Sequence, residues 1–183
     1  MSQPFLEVLT RVYKRPELLT VNRASLAMQT DPDWWQTLLV DELGRGVGWS
    51  YQNMAKYSNS LKGKYIWILD DDDECILPDF VANLKAVVNA VESPDVVMVR
   101  MDHGDGRILP DECWQRRPVL GGIGVSAFVV KKELWRKHAW VMNPGHYASD
   151  FTFIYSIWQS RPKVLWWDTV ASRVQKKSFG QPS

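Results

Sequence analysis

Five acidic residues in a row follow one of the most apolar segments of the chain, and this junction constrains the fold more than any other feature. Residues 65–69 (YIWIL) have the composition of a buried strand, and residues 70–74 (DDDDE) follow them directly. Neighbouring carboxylates repel one another, so a folded chain tolerates them beside cations or with raised pKa values. Because ligands of open α/β sheets bind outside the carboxyl ends of strands, we expect the acidic run to line a binding crevice.

The apolar pattern of the whole chain alternates between strand and helix periods, which is typical of α/β proteins. Strands are predicted at 5–12, 36–40, 64–69, 95–101, 125–130 and 163–167. Helices are predicted after Pro16, at 49–60, after Pro78, at 131–137 and at 149–159. A polar loop is expected over 102–120, and a basic, polar tail over 172–183. The pattern predicts one α/β domain over residues 1–183, with a mostly parallel central sheet flanked by helices.

Composition excludes several classes of protein. The chain has 183 residues, and its 22 basic and 21 acidic side chains leave a net charge of +1, without the basic excess of proteins that bind nucleic acid over a broad surface. Two cysteines, Cys75 and Cys113, are too few for a disulfide framework. Neither a signal peptide nor an apolar run of membrane-spanning length is visible. We therefore expect a soluble cytoplasmic protein, in the host cytoplasm if its origin is viral.

The acidic run is a candidate site for a divalent metal. Mg²⁺ and Mn²⁺ accept one or two carboxylates and complete their shells with water and substrate phosphates. Alternate residues of a strand point the same way, so Asp70 and Asp72 are expected to share a metal while Asp71 faces elsewhere. A solvated acidic turn is the alternative interpretation. An EF-hand is excluded, because Cys75 and Val81 stand where that loop requires glycine and glutamate.

Other signatures of catalysis are missing from the sequence. It contains no P-loop, no HExxH zinc motif, no GxSxG nucleophile elbow and no dinucleotide-binding GxGxxG. The glycine clusters at 44–48 and 121–124 are weak signals that are most typical of turns.

Residues 10–16 (TRVYKRP) span the end of the first predicted strand, and residues 38–42 (LLVDE) end the second in acidic residues. Residues 63–66 (GKYI), the LDDDD run and the following Leu77–Pro78 come next in the chain. In their order and spacing these motifs resemble those of family 2 glycosyltransferases, which have the GT-A fold and use nucleotide-sugar donors. The resemblance is dense over residues 8–84.

This resemblance implies a single GT-A domain that transfers a sugar from a nucleotide diphosphate donor, with a UDP-sugar favoured and Mn²⁺ or Mg²⁺ as cofactor. Residues 1–100 would bind donor and metal, and residues 101–183 the acceptor. Asp70 and Asp72 would hold the metal, and Arg15, Arg173 or Lys176 would meet phosphate oxygens. The residues expected to contact the donor are Thr10, Tyr13, Arg15, Asp41, Asn53, Asp70 and Asp71.

The second half carries a thinner resemblance. Ser149–Asp150 stands where the family has a Glu-Asp pair whose aspartate is the catalytic base, so Asp150 is expected to be the base, although an aspartate there also suits a helix cap. Gln175 stands where a metal-binding histidine is expected, and Gln175, water or His146 would complete the metal shell. Residues 121–130 are similar to the acceptor-side segment. Gly122 and the aromatic Trp114 are expected to contact the acceptor.

The sequence leaves three alternatives open, two for the acceptor and one in which the protein is not a catalyst. A glycan is the most common acceptor in such proteins. A modified base in DNA is the second possibility, because basic pairs at 116–117, 131–132 and 176–177 would suit a polyanion groove. A catalytically silent module that binds nucleotide sugars is the third.

Overall fold

The structure is a computed structural model, and it describes residues 3–176. The strands are β1 (Leu6–Val12), β2 (Trp34–Val40), β3 (Tyr65–Ile68), β4 (Asp73–Cys75), β5 (Val96–Asp102), β6 (Ile108–Leu109), β7 (Phe128–Lys131) and β8 (Val164–Val174). The α-helices are α1 (Pro16–Ala27), α2 (Gly46–Tyr57), α3 (Phe80–Ala90), α4 (Lys132–His138) and α5 (Ser149–Gln159). None of the helices in this part of the chain is long and apolar enough to cross a membrane.

The strands form one mixed sheet in the order β2-β1-β3-β7-β5-β8-β4, with β6 paired to β5. β1 is parallel to β2 and β3, β5 is parallel to β8, and the ladders of β7 with β3 and β5 are antiparallel. The strands β1, β2, β3, β5 and β8 therefore run in one direction, and β4, β6 and β7 run against them. The prediction of a mostly parallel α/β sheet is confirmed.

The sheet is covered on both faces, and β3 illustrates why its residues are almost all apolar. Tyr65 and Trp67 pack into the core on the side of α1 and α3. Ile66 and Ile68 pack into the core on the side of α2, α4 and α5. Because neither face of β3 meets water, its apolar residues run continuously instead of alternating with polar ones.

The order of the strands creates a crevice beside β1. The chain leaves β1 for β2 on one side and later returns for β3 on the other side of β1. In doubly wound sheets such a reversal opens a crevice at the carboxyl ends of the two strands, where ligands bind. The first-strand motif and the acidic run both lie at this edge.

The predicted elements are found, with differences at several places: β6 lies inside the predicted polar loop 102–120, and the helix predicted over 49–60 spans Gly46–Tyr57. β4 is a strand of three residues at Asp73–Cys75, too short to produce a hydrophobic period. The predicted strand at 125–130 is shared between a short helical turn, Val125–Ala127, and β7. β8 continues to Val174, so residues 172–174 belong to the sheet and not to a tail. The remainder of the predicted tail, 177–183, lies outside the described residues.

Candidate active site

The carboxyl ends of β1 and β3 are joined by an ion pair between Arg11 and Asp70. The parallel register sets Leu9 beside Ile68, so two residues further along Arg11 reaches Asp70. Its Nε donates to Asp70 Oδ1 at 2.7 Å, and Nη2 bonds Oδ2. The guanidinium also lies 4.5 Å from the centroid of the Tyr51 ring on α2. Both carboxylate oxygens of Asp70 are thus used by one planar, partly buried cation.

A second arginine binds the next two carboxylates. Arg15 donates from Nη1 to Asp72 Oδ2 at 2.7 Å and from Nη2 to Asp71 Oδ1. The second oxygen of Asp71 accepts a hydrogen bond of 3.0 Å from the backbone N–H of Tyr13. Asp71 is fully buried, and burial raises its pKa to about 6, although the N–H of Tyr13 and the charge of Arg15 oppose that rise. Asp72 remains partly exposed.

The acidic run is a turn and not a continuation of β3. The strand ends at Ile68, and the N–H of Asp73 bonds the carbonyl of Asp70 at 2.9 Å, which closes the turn that leads into β4. The expectation that Asp70 and Asp72 point the same way rested on strand geometry, which ends at Ile68, and the two carboxylates bind different arginines. Burial, with the charges of Asp70 and Asp72, raises the pKa of Asp73 well above its usual range.

Buried amides hold the backbone of this turn. Asn22 of α1 donates to the carbonyls of Asp70, at 2.8 Å, and Asp73, at 3.0 Å. The backbone N–H of Gln175 donates to the carbonyl of Asp72 at 2.8 Å, and its side-chain amide donates to the carbonyl of Leu18 at 3.0 Å. Gln175 was expected near a metal. Its backbone N–H stabilises the acidic turn, and its side-chain nitrogen bonds α1.

Asp150 lies beside the Arg11–Asp70 pair, at the start of α5. Its Oδ1 accepts a hydrogen bond of 2.7 Å from the N–H of Phe151. Burial raises its pKa, and the charge of Asp70 adds to the rise while that of Arg11 opposes it. A carboxylate with a raised pKa beside a charged crevice is suited to accept a proton. Asp150 is the second residue of α5 and not its N-cap, which is Ala148, and its bond to the N–H of Phe151 uses one oxygen.

Asp41 follows the end of β2 and carries an unused acceptor. It is buried, and its Oδ2 accepts a hydrogen bond of 3.0 Å from the N–H of Gly46. Its Oδ1 is buried and has no hydrogen-bond partner within residues 3–176. An unpaired buried oxygen is costly unless a ligand supplies a donor. The ring of Tyr13 lies over Gly44 in the same loop, where a Cβ would come within 2.5 Å of its hydroxyl.

The other residues expected at the donor and metal sites have different surroundings. Thr10 is fully buried, and its hydroxyl accepts a hydrogen bond of 2.9 Å from Gln36, so it has no surface to offer a ligand. Asn53 is half-buried on α2. His146 is exposed in the loop before α5, where its N–H donates to Ser149 Oγ at 3.0 Å. Arg173 pairs with Asp102, Nε to Oδ2 at 3.0 Å.

The residues expected at the acceptor site lie on a separate loop. The guanidinium of Arg100 lies 4.1 Å from the centroid of Trp114, and Trp114 meets Trp166 edge-on at 5.1 Å between ring centroids. Trp114 is therefore packed on one face and along an edge. Gly122 lies in a turn closed by its N–H on the carbonyl of Val119 at 3.1 Å.

The structure offers a divalent cation fewer carboxylates than the sequence predicted. Within residues 3–176 no three His, Cys, Asp or Glu side chains lie together in an arrangement that would hold a metal ion. Both oxygens of Asp70 are bound by Arg11, and Asp71 is buried. Asp72 is partly exposed and its Oδ2 accepts a hydrogen bond from Arg15, so a Mg²⁺ or Mn²⁺ whose remaining ligands come from phosphates and water fits best at this carboxylate.

Two residues of this site were not predicted from the sequence. Arg11 lies in an apolar strand, two positions after Leu9, which pairs with Ile68 of β3. A charged residue in such a strand is a signal that an oppositely charged partner lies at the end of the neighbouring strand. Asn22 is a buried polar residue of α1, and only its three-dimensional position reveals its hydrogen bonds to the turn.

Solved structures of GT-A glycosyltransferases share this fold. The 1–349 fragment of TarS from S. aureus aligns with a TM-score of 0.65 and 14% identity over 93% of this chain and 60% of that one. The same fragment in complex with UDP-GlcNAc aligns with a TM-score of 0.64 and 15% identity, over 94% of this chain and 58% of that one. No family model matches the sequence, and no curated protein matches it.

A mannosyltransferase from Pyrobaculum calidifontis, PcManGT, was solved in complex with GDP-Man and Mn²⁺. It aligns with a TM-score of 0.65 and 15% identity over 94% of this chain and 57% of that one. The fold of this chain is therefore the GT-A fold of nucleotide-sugar glycosyltransferases. The chain spans about 60% of the length of the TarS fragment.

Proposed function

We propose that this protein is a glycosyltransferase that moves a sugar from a nucleoside diphosphate donor to an acceptor hydroxyl, most favourably on a glycan. The observation that carries the proposal is the convergence of four groups at one sheet edge. An unpaired buried acceptor on Asp41, the partly exposed Asp72, the carboxylate of Asp150 with its raised pKa, and two arginines all belong to the crevice around β1 and β3.

Asp41 would recognise the nucleobase of the donor. Its Oδ1 is a lone acceptor in a buried position, so it favours a base with a ring N–H. Uracil, thymine and guanine carry such a group, whereas cytosine has an acceptor at the corresponding ring nitrogen and would be repelled. This chemistry supports a UDP-sugar as donor, with GDP- and dTDP-sugars also compatible and CDP-sugars disfavoured.

Asp72 would hold the divalent metal, because its side chain is the most exposed of Asp70, Asp71 and Asp72. A bound Mg²⁺ or Mn²⁺ supplies Lewis-acid neutralisation of the charge that develops on the leaving diphosphate. Arg15 adds donors at the same place, since a guanidinium binds phosphate oxygens with charge-assisted hydrogen bonds.

Asp150 would act as the general base, and the reaction would invert the anomeric carbon. The acceptor oxygen forms a bond to that carbon as the bond to the diphosphate oxygen breaks, and the leaving nucleoside diphosphate takes the electron pair. Asp150 accepts the proton of the acceptor hydroxyl. Its raised pKa makes it a better proton acceptor than an exposed aspartate.

A glycan acceptor is favoured over DNA by the surface near Asp150. Trp140 is 66% exposed, in a helical turn that packs against α2 and α5, and an exposed indole ring can stack on a sugar. Of the basic pairs expected in a polyanion groove, 116–117 and 131–132 lie in different segments, and the pair 176–177 lies partly outside the described residues. Lys131 pairs with Tyr65 at the opposite edge of the sheet, whereas Arg117 lies over Tyr155 of α5.

Calorimetric titration tests the proposal. UDP, GDP, CDP, dTDP and UDP-sugars are titrated with Mn²⁺ or with EDTA into the wild type, Asp41→Asn, Asp72→Ala and Glu133→Gln. Glu133 is an exposed carboxylate on α4 at the opposite sheet edge and serves as the control. We expect metal-dependent binding of one nucleotide, lost in Asp72→Ala, weakened about tenfold in Asp41→Asn and unchanged in Glu133→Gln. If no nucleotide binds under any condition, the transferase proposal is wrong and an interaction module takes its place.

A further inference from the structure

The two arginines that bind the acidic turn, Arg11 and Arg15, differ in their pairing and in their exposure to solvent. Arg11 bonds both oxygens of one carboxylate, and the side chains of Arg11 and Asp70 are each 14% exposed. Arg15 divides its two nitrogens between two carboxylates, and its side chain is 32% exposed. One pair is fixed and enclosed, whereas the other is open to exchange with a ligand.

The position of Arg15 in the chain is unfavourable for a cation. It is the residue before Pro16, at the N-terminus of α1, and its side chain makes no capping hydrogen bond. The N-terminus of a helix carries a partial positive charge, so an arginine is disfavoured there. The carboxylates of Asp71 and Asp72 offset that cost, which indicates that Arg15 is present for the acidic turn and not for the helix.

Arg15 and a divalent metal would compete for Asp72. The guanidinium bonds Asp72 Oδ2 at 2.7 Å, at the carboxylate that the proposed function assigns to the metal. Two cations cannot share that oxygen closely, because they repel each other at such a distance. A metal that binds Asp72 through Oδ2 must therefore displace Nη1 of Arg15.

Asp71 gives the displaced arginine a second attachment. Asp71 is fully buried and its other oxygen is held by the N–H of Tyr13, so the contact with Nη2 does not depend on Asp72. Release of Nη1 then leaves a guanidinium anchored at one side, with free donors facing the crevice. The chemical group best able to use those donors beside a metal is the diphosphate of the donor.

We propose that Arg15 is an exchangeable counter-cation: it neutralises Asp72 in the empty protein, yields it to the divalent metal, and transfers its freed donors to the diphosphate. This inference rests on the proposed function. Without nucleotide, Arg15 competes with the metal for Asp72. With nucleotide, Arg15 and the metal bind the same diphosphate. Metal and nucleotide therefore bind cooperatively, and Arg15 contributes to that cooperativity.

Titration of Mn²⁺ without nucleotide, followed by the magnetic resonance signal of free Mn²⁺, separates these roles. Arg15→Gln removes the competing charge, and Arg23→Gln removes an exposed arginine from the same helix as a matched control. We expect Arg15→Gln to bind Mn²⁺ about tenfold more tightly than the wild type, the scale of one partly buried ion pair, and Arg23→Gln to match the wild type. With UDP present, the gain in Mn²⁺ affinity caused by nucleotide should be about tenfold smaller in Arg15→Gln.

Arg15→Lys covers the case in which Arg15→Gln does not fold, as judged by thermal melting. A lysine is a point charge that cannot bridge two carboxylates as a guanidinium does, so this variant should bind Mn²⁺ more tightly than the wild type, by less than Arg15→Gln would. Unchanged or weaker Mn²⁺ affinity in the folded variants overturns the inference even when nucleotide binding is intact. Failure of every protein, wild type included, to bind Mn²⁺ or nucleotide overturns the proposed function as well.

Discussion

Arg11 and Asp70 lie 59 positions apart in the chain and form a two-point ion pair, Nε to Oδ1 and Nη2 to Oδ2, beside the ring of Tyr51. This pair joins β1 to the acidic turn, and Asp150 of α5 lies within its electrostatic field. One guanidinium, that of Arg11 on β1, therefore bonds the acidic turn and interacts electrostatically with the start of α5. The cation offsets the repulsion that the acidic run would otherwise cause.

Removal of Arg11 should destabilise the fold. Arg11→Met leaves Asp70 partly buried without its cation, and we expect a loss of about 2–3 kcal/mol in the free energy of unfolding, measured with urea. The double variant Arg11→Met/Asp70→Asn should recover part of that loss, because no unpaired charge then remains. A double variant that is as unstable as the sum of the two single variants would contradict a direct interaction between the two side chains.

The contact between Gly48 and Gly145 offers a second test. A Cβ on Gly48 of α2 would come within 2.3 Å of the carbonyl oxygen of Gly145, in the loop that leads to α5. Alanine favours helices over glycine by about 0.5–1 kcal/mol, so Gly48→Ala would stabilise a free helix. We expect it instead to lower the free energy of unfolding by about 1–2 kcal/mol because of overpacking.

Ser50→Ala, on the same helix, is the control for that experiment and should change the free energy of unfolding little. Since the loop around Gly145 precedes Asp150, Gly48→Ala should also slow sugar transfer more than it weakens donor binding. A higher free energy of unfolding in Gly48→Ala would contradict this prediction, because it would show that the loop around Gly145 shifts without loss of stability.

Much of the candidate site follows from the sequence, because its residues lie where strands end. The apolar run before Asp70 and the proline after Arg15 placed β3 and α1 correctly, and α5 was predicted at its observed bounds. Strand alternation does not extend to Asp72, because β3 ends at Ile68 and the chain then turns.

The remaining features depend on contacts between distant segments. Arg11 meets Asp70 only through the register of β1 with β3, which hydrophobic patterns do not specify. Gln175 was expected at a metal, yet its amide bonds the carbonyl of Leu18 because β8 extends seven residues beyond its predicted end at Trp167. The aromatic face expected on Trp114 is covered by Arg100, a residue from β5.

The stability of the fold should depend on pH through His138. Its Nδ1 is bonded to Ser156 Oγ at 2.9 Å, and its Nε2 is buried without a partner within residues 3–176. Burial, with a smaller effect from Lys137, lowers the pKa of His138 below 6.5. The unfolded chain therefore binds this proton more readily than the folded one, so the stability falls as the pH drops below the unfolded value of about 6.5.

His138→Gln should flatten that dependence. Urea unfolding between pH 5 and 7 should show a smaller slope of stability against pH than in the wild type, and His146→Gln, which alters an exposed histidine, should retain the wild-type slope. Equal slopes in the wild type and His138→Gln would mean that this histidine titrates alike in the folded and unfolded chains.

The sharpest test of the catalytic assignment separates chemistry from donor binding at Asp150. Asp150→Asn keeps the size of the side chain and an oxygen that can accept the hydrogen bond from Phe151, but it cannot accept a proton from the acceptor. We expect the rate of transfer to fall by about 10²–10⁴, the usual contribution of general base catalysis, with the nucleotide dissociation constant unchanged within about twofold. In the wild type the rate should decline on acidification as Asp150 is protonated, starting at a higher pH than for an exposed aspartate because burial raises its pKa. A variant that transfers sugar at the wild-type rate would leave Asp150 only its hydrogen bond in the first turn of α5.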